Sequence, residues 1–105
     1  MTTHAPNRLA GLGDRVALSD QLWDASDAFT IEAQLWNGKA RQDCQRSADQ
    51  LAHTARCILR GTITIPEAEA FTEASRKALG RVAGARRLRD ALRAPQTRQN
   101  GATDA

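Results

Sequence analysis

Residues 39–60 read KARQDCQRSADQLAHTARCILR, and this stretch decides the fold. Apolar or small residues fall at Ala40, Cys44, Ala48, Leu51, Ala52, Ala55, Ile58 and Leu59. Steps of three and four place them on one face of an α-helix. The opposite face is polar, with Gln42, Arg46, Asp49, Gln50, His53, Arg56 and Arg60. The spacing predicts the central helix of a small bundle, over 39–60, with one helix on each side.

Working outward, the preceding stretch predicts a helix over 14–36, capped by Asp14 or Ser19. Its inward stripe is Leu18, Leu22, Ala25 or Ser26, Phe29, Ala33 and Trp36. Asn37-Gly38 closes it, because Gly accepts a left-handed backbone. The two- or three-residue connection makes the first two helices antiparallel. After the central helix, Gly61 and the β-branched residues Thr62 to Ile65 break the chain. Thr64-Ile65-Pro66-Glu67 reads as a capping box with Pro in the first turn. A third helix follows over 65–93, with the stripe Phe71, Ala74, Ala78, Val82, Ala85, Leu88 and Leu92. Residues 1–13 read as a flexible lead-in and 95–105 as a disordered tail. The expected fold is all-α, a three-helix up-down-up bundle over 14–94. The alternative is a helical hairpin whose third helix packs on another chain.

The totals agree with one domain. The chain has 105 residues, 41% hydrophobic and 26% charged, enough for a single core without a metal or disulfide. Aromatics are only 4% and twenty residues are Ala, so the core should be thin and the helices close. Arg outnumbers Lys thirteen to two, a skew that fits a GC-rich bacterial genome. No apolar run approaches the ~20 residues that span a bilayer, and no secretory signal opens the chain. Cys44 and Cys57 lie thirteen residues apart. On one helix that is roughly 20 Å, too far for a disulfide. Free thiols and the missing export signal point to the cytoplasm.

Charge is unevenly placed. Asp14, Asp20, Asp24, Asp27 and Glu32 stand against Arg15 in the first helix, a balance of −4. Arg76, Lys77, Arg81, Arg86, Arg87, Arg89, Arg93 and Arg98 stand against Asp90 later, a balance of +7. The two sets can attract each other within the fold or serve two different partners.

Catalytic and metal motifs are lacking. Asp49, His53 and Cys57 line one stripe of the central helix at i, i+4 and i+8, a spacing that can hold a metal or activate a thiol. That stripe points away from the Leu51 and Ala55 face, toward solvent. Cys44 is on the other side of the helix, and His53 with Cys57 supplies only two N/S ligands, too few for a zinc site. No phosphate loop or paired-carboxylate site is visible, so no catalytic residue, metal or cofactor is expected.

Binding is the better-supported class. Trp23, Ile31 and Leu35, beside Asp24 and Asp27, form a second apolar patch on the first helix that suits docking to a protein partner. The basic surface of Arg76, Lys77, Arg81, Arg86, Arg87, Arg89 and Arg93 suits an acidic protein surface, or nucleic-acid phosphates as the alternative. Their angular scatter argues against a groove-reading helix: Arg76 and Arg87 point outward, Arg86 and Arg93 flank, and Arg89 falls in the inward stripe. No aromatic residue stands near them to stack bases. Gly80 and Gly84 make a small-residue face through which a homodimer can form. The expected function is a non-enzymatic regulatory or inhibitory protein that binds a protein partner.

One motif resembles a known family. Trp36-Asn37-Gly38, in a turn between two helices, is similar to the WxG turn of the small helical-hairpin substrates of type VII secretion. The resemblance covers three residues and a hairpin. That family continues its second helix and follows it with a Tyr-containing signal. Here Gly61 to Pro66 breaks the chain, a third helix follows and there is no Tyr. No residue role is carried over.

Overall fold

A computed structural model describes the backbone of residues 11–104 and the side chains of residues 11–93. Three helices follow one another: α1 (Leu12–Gln34), α2 (Gly38–Arg60) and α3 (Ile65–Asp104). Among the described residues there is no strand. The expected all-α three-helix bundle is the fold observed.

Two pairs of hydrogen bonds fix the directions. Ser19 Oγ donates to the Ala55 carbonyl at 3.1 Å and Ser26 Oγ to the Ala48 carbonyl at 2.8 Å. A step of seven forward on α1 is a step of seven backward on α2, so the two run antiparallel. Arg86 Nε donates to Glu32 Oε2 and Arg89 Nη1 to the Leu35 carbonyl, both across 54 residues. The constant offset makes α3 parallel to α1, which completes the up-down-up order.

The hairpin is the tight part. Ser19 and Ser26 are buried against Ala48 and Ala55, and such small side chains let the two backbones approach. Around them sit Leu18, Leu22, Phe29, Ala33, Cys44, Leu51 and Ile58. Burying a Leu- or Ile-sized side chain stabilises by roughly 1.5–3 kcal/mol. The predicted stripe of α2 is buried at Cys44, Ala48, Leu51, Ala55 and Ile58, while Leu59 is exposed.

The helix ends differ in how well the sequence marked them. α1 starts at Leu12, two residues before the expected 14, on Gly11 with no side-chain cap. It ends at Gln34 in a tighter turn, where the N–H groups of Leu35 and Trp36 reach Glu32 and Ala33 at 2.9 and 3.2 Å. Gly38 does take a positive φ of 61°, but as the first residue of α2 rather than as the close of α1. Gly61, at φ 77°, closes α2. Its N–H reaches the Ile58 carbonyl at 3.3 Å and the Thr62 N–H reaches Cys57 at 3.1 Å, the paired bonds of a left-handed helix close. Arg15 adds a cation there, donating to the carbonyls of Ile58 and Ile63 at 3.1 and 2.9 Å. The capping box forms as expected: Thr64 N–H donates to Glu67 Oε1 at 2.8 Å, and Glu67 N–H to Thr64 Oγ1 at 3.2 Å.

α3 departs from the sequence reading in two ways. Its backbone continues to Asp104, past the expected limit at 93 and through the expected tail. Pro95 removes one backbone donor without ending the helix. The expected lead-in falls largely outside the described residues. The second departure is rotational. The residues buried on α3 are Ala68, Thr72 and Ser75, whereas Ala74, Ala85, Leu88 and Leu92 of the predicted inward stripe are exposed. Phe71, Ala78 and Val82 are half-buried. Apolarity alone pointed to the wrong arc. Thr72 satisfies its hydroxyl on the Ala68 carbonyl at 2.7 Å, so it can be buried. Arg86, on the same arc, is drawn inward by Glu32.

Candidate functional site

The rotation of α3 leaves a seam open. Ser26 of α1 faces α2, while its neighbour Ala25 lies with Thr72 and Leu79 on the α3 side. Adjacent helical residues diverge by about 100°. α3 accordingly packs mainly on α1 and scarcely on α2.

The result is a groove along the α2–α3 seam. Three hollows of about 240, 300 and 460 Å³ share lining residues end to end. Phe29 and Trp36 lie at the floor. The α3 wall is Phe71, Ala74, Ala78, Val82 and Ala85, most of the stripe that the sequence assigned to the core. The α2 wall sets the small residues Ala40, Cys44 and Ser47 among the polar and charged Asp43, Arg46, Asp49, Gln50, His53 and Thr54. From Ala40 to Thr54 the groove is about 21 Å long, four helical turns. Only the α3 wall is apolar, and its alanines are too small to fill the space. Leu88 and Leu92, 62% and 72% exposed, extend the α3 stripe beyond Trp36.

A polar latch closes one end. Glu32 is buried and accepts from Arg86 Nε at 2.6 Å and from Trp36 Nε1 at 3.0 Å. Arg89 lies over the Trp36 ring at 4.6 Å, donates to the Leu35 carbonyl at 2.8 Å and pairs with Asp90 at 3.0 Å. Arg86 also approaches Asp90 at 3.8 Å. The latch holds two of the seven predicted basic residues inside the fold. A third, Arg76, pairs with Glu73 at 3.4 Å. Lys77, Arg81, Arg87 and Arg93 are exposed. Arg81 reaches the groove with Lys77 one turn before it on the same face, while Arg87 and Arg93 lie on other faces of α3.

The predicted partner-binding residues of α1 are on the far side of the molecule from the groove. Ile31 is 61% exposed and Leu35 45%, with Asp24 and Asp27 exposed beside them. Trp23, at 37%, flanks the patch and carries Arg56 over its ring at 5.3 Å.

Acid–base chemistry has little to work with. His53 Nε2 and Cys57 Sγ are 3.5 Å apart on an exposed stretch of α2. Among the described residues no three His, Cys, Asp or Glu side chains gather closely enough to hold a metal ion. Cys44 borders the groove, and burial first, then the negative charges of Glu32 and Asp43, push its thiol pKa up. Glu67 is held below the ordinary carboxylate range by the Thr64 hydrogen bonds. Among the described residues no helix is long and apolar enough to cross a membrane.

The groove was missed from the sequence, although one signal was there. A helix at the centre of a closed three-helix bundle needs apolar arcs toward both neighbours. α2 carries only the narrow arc that α1 uses, and its next arc is Ser47, Gln50 and Thr54.

Comparison with protein families, with curated proteins and with solved structures gives no match.

Proposed function

We propose that this protein is a non-enzymatic regulatory or inhibitory protein that acts by binding a helix of a protein partner in the α2–α3 groove. The observation that carries the reading is the open seam itself. An apolar wall from Phe71 to Ala85 lines hollows that it shares with α2 along about four turns. Amphipathic helices dock in such grooves through anchors at i, i+3, i+4 and i+7. A guest helix there would complete a four-helix bundle, the arrangement that closes an apolar seam.

The engagement of Arg86 and Arg89 in the latch favours a protein partner over nucleic acid, because it withdraws two cations from phosphate contact. The test uses the full chain as bait, with Ser47→Arg and Ala78→Arg variants of unaltered helical circular dichroism. Under this reading, the chain retains a bound protein after nuclease treatment, and either variant loses it. Recovery that collapses with nuclease and persists in the variants overturns the reading in favour of nucleic acid.

A further inference from the structure

One side-chain pair has no part in the latch and touches the groove only through His53 at its rim. His53 Nε2 and Cys57 Sγ stand 3.5 Å apart, one turn from each other on α2, with His53 exposed and Cys57 half-buried. His53 is two residues from both Leu51 and Ala55, about 200° round the helix from the buried residues that face α1. The pair therefore crowns the outer ridge of α2, open to a second molecule. Its separation matches that of two ligands on one metal ion. Zinc bonds of about 2.3 Å to sulfur and about 2.0–2.1 Å to nitrogen, at a tetrahedral angle, set the two ligand atoms about 3.6 Å apart. Arg56, the cation between the two ligands in sequence, is turned onto the Trp23 ring at 5.3 Å. Among the described residues no third His, Cys, Asp or Glu joins the pair, so one chain supplies half of a four-ligand set.

We propose that His53 and Cys57 are half of a tetrahedral zinc site that a second copy of this chain completes. Two copies bring two thiolates and two neutral imidazoles, a set that leaves the ion and its ligands without net charge. A two-fold contact is self-complementary, so each residue meets its counterpart across the axis. With α2 antiparallel to its copy and the axis at the midpoint of the pair, His53 stands opposite Cys57 of the second copy. In that register Asp49, one turn before His53, comes beside Arg60 of the second copy, and the same pairing recurs across the axis. Arg46 falls past the Arg60 end of the second α2, away from its cations. Each Cys57 gives up its thiol proton on binding and each His53 binds through an unprotonated Nε2, so one zinc ion at neutral pH releases about two protons. This site does not rest on the groove reading.

Zinc chloride titrated into the full chain under a phosphine reductant, with the mass followed by sedimentation, tests this. The mass should double, with pairing complete at one zinc ion per two chains, and excess EDTA should return it to that of one chain. Cobalt(II) in place of zinc should give the strong visible absorption of a tetrahedral thiolate site. Cys57→Ser and His53→Ala, both outside the core, should keep the helical circular dichroism and lose both the pairing and the cobalt spectrum. Cys44→Ser and Ala78→Arg should keep both, which separates the site from the buried thiol and from the groove. A mass of one chain in excess zinc overturns the proposal, as does cobalt bound without the tetrahedral spectrum or pairing that survives Cys57→Ser. None of these results touches the groove reading, which stands or falls on the capture of a foreign protein.

Discussion

Arg86 Nε meets Glu32 Oε2 at 2.6 Å, with the Glu32 side chain 7% exposed and the Arg86 side chain 22%. This pair ties the middle of α3 to the end of α1. Arg86 shares the arc of α3 that buries Ala68, Thr72 and Ser75, next to the arc that lines the groove. Removing one member of a buried pair leaves the other charge unsolvated. Arg86→Met should therefore cost about 3 kcal/mol in urea unfolding. Arg86→Met with Glu32→Leu should recover much of that loss, and a double variant as unstable as the single one would deny the coupling.

The capping box gives a pH dependence with a definite sign. The Thr64 hydrogen bonds lower the pKa of Glu67 in the folded chain. A lowered folded-state pKa stabilises above the ordinary Glu range, and the gain is lost as pH falls through the folded value. Wild type should thus melt higher than Glu67→Gln at neutral pH, and the gap should shrink as acid is added. A gap that is constant through the acidic range would contradict the role of the ionised carboxylate.

The two thiols should react at different rates. Cys44 is 3% exposed and its pKa is raised by burial, while Cys57 is half-buried beside His53. A thiol-specific disulfide reagent should label the native chain in one fast step at Cys57 and one slow step at Cys44. Cys57→Ser should remove the fast step alone, and the slow step should quicken above the ordinary thiol range.

The glycines should divide by backbone conformation. Gly61 has φ 77° with open space around it, so Gly61→Ala meets backbone strain rather than a clash. It should cost about 1 kcal/mol. A Cβ at Gly80 or Gly84 meets nothing within 4 Å. Both are mid-helix, and Gly80→Ala and Gly84→Ala should each stabilise by about 0.5–1 kcal/mol in thermal unfolding. Destabilisation at either would mean that the small-residue face is already packed against something.

Much of the fold was legible because local rules agreed with the tertiary outcome. The Leu18, Leu22, Phe29 and Ala33 stripe, the Cys44 to Ile58 stripe, the Gly61 break and the Thr64–Glu67 box all appear where spacing and capping chemistry place them. The orientation of α3 was not legible, because it depends on a long-range pair. Nothing local marks Arg86 as the partner of a carboxylate 54 residues away. The same pair explains why the candidate site was half seen. The Phe71, Ala74, Ala78, Val82 and Ala85 stripe was found but assigned to the interior. The Ile31 and Leu35 patch was read as exposed, and it is.

The openness of the α2–α3 seam is the claim on which the rest depends, and leucine substitution at Ala74 and Ala78 probes it directly by equilibrium unfolding. Ala74 is exposed and Ala78 half-buried along the groove wall, so added side chains enter free space. Ala74→Leu and Ala78→Leu should leave stability unchanged or raise it. A seam closed by α2 would be overpacked by the same substitutions, and a loss of about 1–3 kcal/mol at each would contradict the account.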